Sequence, residues 1–172
     1  LRRIQVWRME SRGITIRRGV PGDIPALGRL GALMVRTHHE FDAKRFVAPT
    51  PQTEAGYGSF LGTQLETPSV AVIVAERDGS VIGYAFASVE GRDYMSLRGP
   101  AGVLQDIVVD PAHRRQGAGE RLLAAAADFW KSHRMTQAVL STAVRNEAAQ
   151  RLFERAGFRR TMIEMTTELD AS

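Results

Sequence analysis

The chain has 172 residues, a length that suits one well-cored domain and is short for two. Its 44% hydrophobic and 24% charged residues are typical of a soluble globular protein, and no apolar run approaches the roughly 20 residues that span a bilayer. The absence of cysteine excludes disulfides, thiolate zinc sites and a catalytic cysteine, and favours a reducing cytoplasm. The net charge of +4 comes from scattered basic pairs without interleaved aromatic residues, so neither nucleic acid nor a membrane is an expected partner.

The first twelve residues are expected to be an N-terminal extension to a single domain over 13–172. Residues 1–12 alternate arginine with apolar residues and lack the apolar core of a signal peptide. Met9 offers an alternative start within them.

The first half of the domain begins with a short strand and two helices. Alternation predicts a strand over 14–17, and Asp23 is a suitable N-cap for the helix that follows. Residues 38–52 read as an irregular loop. A second helix is predicted over 53–66, although three glycines weaken it.

The second half contains the clearest local signal for a hairpin. Two apolar runs, 70–76 and 81–89, flank Asp78-Gly79, a dipeptide that favours a tight hairpin turn. The remaining elements are, in order, a strand over 102–109, a helix over 117–133, a strand over 138–142, a helix over 146–156 ended by Gly157, and a closing strand over 158–169. The order βααβββαβαβ predicts a single α/β (α+β) domain on a mixed sheet of about six to seven strands.

The segment 104–121 is the most informative part of the chain. An apolar strand runs into Asp110-Pro111, then into Arg114-Arg115 and Gly117-x-Gly119, and a helix follows. The glycines let main-chain N–H groups approach a ligand closely, and the helix N-terminus carries positive partial charge. This order of residues predicts a site for phosphate or pyrophosphate.

Two patterns resemble the motifs of one enzyme family. Arg114-x-x-Gly117-x-Gly119 resembles the acetyl-CoA motif of GNAT-superfamily N-acetyltransferases, and residues 146–158 resemble its second motif, usually Asn-x-x-Ala-x-x-x-Tyr-Glu-x-x-Gly-Phe. The resemblance covers roughly 14–169 in element order and is sharpest over 104–158.

The resemblance implies acetyl-CoA as cosubstrate, bound without a metal where the strands near 104–109 and 138–142 splay apart. Main-chain groups of Ile107, Val108 and Val109 would meet the pantetheine arm. The pyrophosphate would lie on the loop formed by Arg114, Arg115, Gln116, Gly117, Ala118 and Gly119. Asn146 and Phe153 would face the cofactor from the last helix.

The implied reaction is direct attack of a primary amine on the thioester in a ternary complex, with a small-molecule acceptor favoured over a peptide. Asp106 lies in an apolar strand, where a carboxylate is costly unless it is used or paired. It is predicted to hold the amine or to deprotonate it through water. The alternatives are a solvent-facing strand residue and a structural pair with an arginine.

Histidine is the side chain best matched to proton transfer near neutral pH, and two stand at the end of the first helix. His38 and His39 lie beside the loop that covers the acceptor site in the family, and adjacent helical residues face different directions, so at most one should face the site. Phe41, Arg45 and Phe46 would shape the acceptor pocket or simply pack there.

Phe153 departs from the family pattern, because a tyrosine commonly stands there as general acid. Water, Tyr84, Tyr94, Ser141 or Thr142 could replace it. Phe153 also keeps open a non-catalytic acyl-CoA-binding domain. A dinucleotide-binding domain is disfavoured, because the third glycine is missing and a hairpin precedes the motif. The resemblance leaves a homodimer open.

Overall fold

The domain consists of five strands and four helices in a computed structural model that describes residues 13–169. The predicted extension over 1–12 lies outside the described residues. The strands are β1 (Thr15–Arg18), β2 (Val70–Arg77), β3 (Ser80–Glu90), β4 (Ala101–Val109) and β5 (Ala138–Leu140). The helices are α1 (Ile24–Phe41), α2 (Thr53–Gln64), α3 (Ala118–Ser132) and α4 (Glu147–Arg155). No helix within 13–169 is both long and apolar enough to cross a membrane.

One mixed sheet in the order β1-β2-β3-β4-β5 forms the centre of the domain. The first four strands pair antiparallel, and β5 runs parallel to β4. The predicted hairpin is confirmed: Asp78 and Gly79 have φ values of 49° and 75°, the left-handed conformations that a two-residue hairpin turn requires. The predicted mixed α/β class is therefore confirmed.

Each face of the sheet is covered by a different pair of helices and has its own core. The core beneath α3 and α4 includes Ile73, Leu104, Leu122, Phe129, Trp130 and Phe153. The core beneath α1 and α2 includes Leu27, Leu30, Leu61, Val74, Tyr84 and Val108. The near-continuous burial of β2 and β3 follows from this covering of both faces.

A β-bulge in β4 changes which core each of its side chains joins. Phe86 of β3 pairs with Asp106, whereas the next residue, Ala87, pairs with Leu104, so Gln105 is an extra residue. Leu104 lies in the α3 core and Val108 in the α1–α2 core, although a regular strand would place both on one face. The bulge therefore directs Asp106 towards α1 and α2.

The sheet has five strands among residues 13–169, rather than six to seven, because the predicted closing strand over 158–169 does not pair. Its glutamates instead form ion pairs with the loop after α1, Glu164 with Arg45 and Glu168 with Lys44. Ile163 and Met165, on the other side of the alternation, are 87% and 89% exposed. The predicted strand over 138–142 is also shorter, ending at Leu140.

Asp23 immediately precedes α1 as predicted, but its side chain does not cap the helix. Its carboxylate accepts two hydrogen bonds from Arg17, at 2.7 and 2.9 Å, and one from the Val20 N–H. Burial alone would raise the pKa of Asp23, but these donors outweigh it and lower the pKa. Asp23 thus ties β1 to the start of α1.

The contact between α3 and the sheet depends on a glycine, which gives a test of the fold. Trp130 donates a hydrogen bond from Nε1 to the Ser88 carbonyl at 3.0 Å, and a Cβ at position 102 would overlap its ring. We expect Gly102→Ala to lower the free energy of unfolding by about 2 kcal/mol, since a packed core tolerates added volume poorly. Denaturant unfolding measures this. Gly91→Ala is the control, because a Cβ there meets nothing within 4 Å; an equal loss in both variants would contradict the packing argument.

Candidate active site

The loop between β4 and α3 presents main-chain N–H groups to one side. Arg115 and Gly117 both have left-handed conformations, with φ values of 58° and 87°, and α3 begins at Ala118. Alternating left-handed residues turn successive N–H groups inwards, and the helix N-terminus adds positive partial charge. The predicted phosphate loop therefore has the backbone form that an anion requires.

The glycines of this loop have different roles. Gly117 needs its positive φ, whereas Gly119 lets α3 approach α4, because a Cβ there would lie 3.3 Å from Leu152. The Arg114 guanidinium is exposed, and its Nε donates to the Val109 carbonyl at 3.1 Å. The Gln116 side chain accepts a hydrogen bond from Arg77, and Ala118 is buried, so these two residues offer the loop mainly their main chain.

A cavity opens where β4 and β5 separate. Their pairing ends at Leu104 and Leu140, so β4 has no strand partner on that side over 105–109 within the part of the chain described. The cavity has a volume of about 270 Å³. Its lining comes from α1, the loop after α1, β4, the segment after β5, and α4, and includes Met34, His38, Phe46, Asp106, Ser141 and Thr142. Ile107 also lines it, whereas the Val108 side chain is buried in the α1–α2 core.

Asp106 lies between two tyrosine hydroxyls. Tyr57 of α2 donates a hydrogen bond to Oδ2 of Asp106 at 2.9 Å, and Tyr84 of β3 donates to the same oxygen at 3.2 Å. Oδ1 accepts no hydrogen bond from the residues described, and the side chain lines the cavity. One carboxylate oxygen is therefore held by the protein and the other is available to a ligand.

Burial raises the pKa of Asp106 above its ordinary value, and hydrogen bonds from Tyr57 and Tyr84, together with the positive charge that His38 carries when it is protonated, partly oppose the rise. Burial, together with the neighbouring carboxylate, also raises the pKa of both tyrosines, so they stay protonated and act as donors. Such perturbed groups in a cavity are common in functional sites.

The structure separates the two predicted histidines. His38 lines the cavity, and its Nδ1 lies 2.9 Å from the Met34 carbonyl, which can only accept a hydrogen bond. Nδ1 therefore carries the proton, and Nε2 of the neutral ring is the free acceptor. His39 is not among the lining residues, and its Nδ1 donates to the Phe46 carbonyl at 2.9 Å.

The predicted acceptor residues form the edge of the cavity. The rings of Phe41 and Phe46 both pack edge-on against His38, at centroid distances of 5.8 and 5.0 Å. Arg45 lies over the Phe46 ring and pairs with Glu164. Phe46 lines the cavity directly, whereas Phe41 and Arg45 support the lining.

The last helix contributes Asn146 and Phe153 to the same cavity. Asn146 caps α4, because its Oδ1 accepts a hydrogen bond from the Ala149 N–H at 3.2 Å, which leaves the side-chain amide nitrogen for a ligand. Phe153 is buried in the α3 core and packs against Phe158. No group of three or more metal-ligating side chains is assembled anywhere in residues 13–169.

Sequence reasoning missed Tyr57. Its neighbours Gly56 and Gly58 weaken the helix signal, yet Gly58 lies in the contact between α1 and α2. A tyrosine flanked by glycines in an otherwise weak helix was the available signal. Tyr94, a suggested proton donor, is 73% exposed and does not line the cavity, whereas Ser141 and Thr142 do.

The family follows from comparison of the whole sequence with known families. The model of the acetyltransferase (GNAT) family matches residues 35–158, which include the loop from Arg114 to Gly119, α4 and every lining residue of the cavity except Met34. The protein belongs to the GNAT acetyltransferase family. Acetyl transfer is therefore its general activity, and its family uses acetyl-CoA.

Named relatives of this GNAT acetyltransferase include three bacterial enzymes. It is 32% identical over 108 residues to the uncharacterised N-acetyltransferase YhfO of Bacillus subtilis, across 60% of this chain and 68% of that protein. It is 33% identical over 96 residues to mycothiol acetyltransferase of Thermobispora bispora, across 54% of this chain but only 31% of that enzyme. It is 28% identical over 99 residues to aminoglycoside N(6')-acetyltransferase type 1 of Klebsiella aerogenes, across 58% of this chain and 65% of that enzyme.

Solved structures share the fold at low sequence identity. A mutant of the BH1408 protein from Bacillus halodurans superposes with a TM-score of 0.78 at 18% identity, over 90% of this chain and 98% of that one. AAC(6')-Iy, solved with the bisubstrate analogue CoA-S-monomethyl-acetylneamine, has a TM-score of 0.65 at 20% identity, over 92% and 99% of the two chains.

Asp106 should reduce the stability of the fold at neutral pH. Because burial raises its folded-state pKa above the unfolded value, its contribution is favourable below the unfolded pKa and is lost as the pH rises through the folded pKa. We expect Asp106→Asn to raise the melting temperature at pH 7 and to change it less at pH 4, as followed by circular dichroism. Asp128→Asn, at an exposed carboxylate, is the control. A lower melting temperature of Asp106→Asn at pH 7 would contradict this account.

Proposed function

We propose that this protein transfers the acetyl group of acetyl-CoA to a primary amine by direct attack in a ternary complex, with a small molecule favoured over a peptide as acceptor. The observation that carries the proposal is the placement of Asp106 and His38 in one cavity beside the unpaired part of β4. A carboxylate that can hold an ammonium group thus lies in the same cavity as an imidazole that can accept a proton.

The acceptor amine would bind as an ammonium ion at Asp106. Oδ2 is already occupied by the hydroxyls of Tyr57 and Tyr84, so Oδ1 would accept the hydrogen bond from the amine. A charge-assisted hydrogen bond of this kind is stronger than a neutral one, and burial strengthens it further. Asp106 would therefore provide binding and orientation.

His38 would accept the proton that the amine must lose. An ammonium group with a pKa of about 10.4 costs roughly 4–5 kcal/mol to deprotonate at pH 7. The bond from Nδ1 to the Met34 carbonyl fixes the tautomer in which Nε2 is free to accept a proton, directly or through water. Phe41 and Phe46 hold the ring from its edges.

The phosphate loop would hold the cosubstrate, which supplies an activated thioester carbonyl. The N–H groups of residues 115–119 and the start of α3 suit its pyrophosphate, and the exposed Arg114 adds positive charge. The main chain over 107–109, which has no strand partner on the β5 side, suits an extended amide-containing arm. A neighbour in fold, AAC(6')-Iy, was solved with a CoA bisubstrate analogue, which supports this assignment.

Phe153 has no proton to donate at the position where the family commonly has tyrosine. Ser141 and Thr142 are the cavity hydroxyls that would donate a hydrogen bond to the departing thiolate, which would take its proton from water. Phe153 instead favours the second candidate function, a non-catalytic acyl-CoA-binding domain. The presence of Asp106 and His38 in one cavity has no evident role in such a domain, and we therefore favour the enzyme.

The acceptor is proposed to be small because the cavity is small. Its volume of about 270 Å³ includes the part beside Ser141, Asn146 and Phe153 that the cosubstrate would enter. Asp106 is the only acidic side chain among its lining residues, which suits one ammonium group. We further propose cytoplasmic location, favoured by the absence of cysteine, and homodimerisation, favoured by the exposed apolar side chains of 162–169.

Removing the Arg114 charge should weaken the binding of acetyl-CoA without disturbing the fold. We expect Arg114→Ala to raise the Kd for acetyl-CoA about tenfold, the effect of losing one charge-assisted hydrogen bond to phosphate. Isothermal titration calorimetry measures it. Arg92→Ala removes a surface charge near Tyr94, outside the cavity lining, and should leave the Kd unchanged. Equal affinity of Arg114→Ala and the wild type would count against the pyrophosphate assignment.

The acid–base assignment is tested by amine-dependent thiol release. With acetyl-CoA and a panel that includes phenethylamine, spermidine and kanamycin, we expect His38→Asn and Asp106→Asn to lower kcat by about 10²-fold or more while acetyl-CoA still binds. His39→Gln keeps a donor for the Phe46 carbonyl and should retain most activity. Acetyl-CoA binding with no release by the wild type across the panel would favour the non-catalytic candidate.

A further inference from the structure

Two hydroxyls meet on one oxygen of Asp106, and they come from different layers of the fold. Tyr84 is fully buried in β3 and faces Val108 of β4, so the sheet itself holds it. Tyr57 comes from α2, which is not part of the sheet, yet its hydroxyl lies at the shorter distance of 2.9 Å. The position of Tyr57 must therefore be set by contacts of α2 outside the sheet.

We propose that Tyr57 is a positioning residue for acetyl transfer, set by a glycine contact between α1 and α2, and that it keeps Oδ1 of Asp106 directed at the acceptor amine. The proposal rests on the proposed function, since it assigns Tyr57 a part in that reaction. Tyr57 itself need not touch either substrate.

Gly31 of α1 makes room for the tyrosine. A Cβ at position 31 would overlap the Tyr57 ring, so the ring lies directly on the backbone of α1. Any larger residue at that position would push the ring, and with it the hydroxyl, away from β4. The position of the Tyr57 side chain thus depends on the lack of a side chain at Gly31.

Two more glycines bring the helices together around this contact. A Cβ on Gly28 would lie 2.5 Å from the Glu54 carbonyl oxygen, and a Cβ on Gly58 would lie 3.0 Å from that of Ile24. Glycine inside a helix is less favourable than alanine, so this arrangement weakens both helices locally. The close approach that it permits is what places the Tyr57 hydroxyl within hydrogen-bond distance of Asp106.

The hydrogen bond from Tyr57 has two consequences for Asp106. It stabilises the ionised carboxylate against burial, and it occupies Oδ2, so that the carboxylate cannot turn this oxygen to the cavity. The groups that act on Asp106 are Tyr57 from α2, Tyr84 from β3 and His38 from α1. Without Tyr57, Asp106 would be held from one side only and would take up a proton at higher pH.

Tyr57→Phe tests the proposal in the amine-dependent assay. With the panel amine that the wild type acetylates fastest, we expect kcat/KM at pH 7 to fall about tenfold, the loss of one hydrogen bond to a charged group. The acidic limb of the kcat/KM profile should move to higher pH, while the Kd for acetyl-CoA stays unchanged. Gly31→Ala, which displaces the ring but keeps the hydroxyl, should produce the same change in profile.

Matched controls separate positioning from general damage. Tyr94→Phe removes an exposed hydroxyl, and Gly56→Ala adds a Cβ to α2 where nothing lies within 4 Å, so neither should move the profile. A profile of Tyr57→Phe that superimposes on that of the wild type would overturn the proposal. So would a fall in activity with no shift of the acidic limb, which would mean a structural role only.

Thermal unfolding across pH gives a readout that does not need the reaction. Tyr57→Phe should lose stability relative to the wild type as the pH rises, and the loss should disappear when Asp106→Asn is added, because the uncharged amide no longer depends on the donor. If the double variant still loses stability as the pH rises, the proposed effect of Tyr57 on Asp106 would be wrong. If the wild type releases no thiol with any amine, the proposed function and the positioning role fail together, while the unfolding data still report on the contact.

Discussion

The extra residue in β4 determines on which side of the sheet Asp106 lies. In a regular strand Leu104 and Asp106 would share a face, but Gln105 places Leu104 beneath α3 and brings Asp106 to Tyr57 of α2. The pairing of β4 with β5 also ends at this point. The bulge therefore lies beside Asp106, the free side of β4 and the cavity, and bulges occur frequently beside active sites.

The same arrangement buries the Asp106 carboxylate among apolar residues, where its charge is unfavourable for the stability of the fold. The apolar surroundings of Asp106 raise its pKa, and the two tyrosines only partly oppose this. A site that binds an ammonium group benefits from such burial, because the attraction between the two charges grows as water is excluded. Without a ligand, the free-energy cost of burying this charge lowers the stability of the fold, and a bound ammonium group would offset that cost.

Features set by a few neighbouring residues were predicted well from the sequence. The turn at Asp78-Gly79, the left-handed turn at Gly117 before α3 and the helix end at Gly157 each depend on local backbone conformation. The segment 158–169 shows what the sequence could not predict. Alternation indicates that a segment is able to form a strand, but it does not indicate which sheet edge the strand would pair with. Here Glu164 and Glu168 pair with side chains of the loop after α1, and the free edge of β5 remains unmatched among the residues described.

The glycines of α1 and α2 explain why sequence reasoning missed Tyr57. Within its own helix Gly58 lowers helix propensity, and this is the only effect of Gly58 that the local sequence indicates. In the fold, however, Gly28 and Gly58 allow two helices to approach, and Gly31 accommodates the Tyr57 ring. That role involves residues on separate helices and a third element, β4, that receives the hydroxyl. A residue that weakens its own helix can therefore be the one that brings the Tyr57 hydroxyl to Asp106, and this becomes visible only when both helices are seen together.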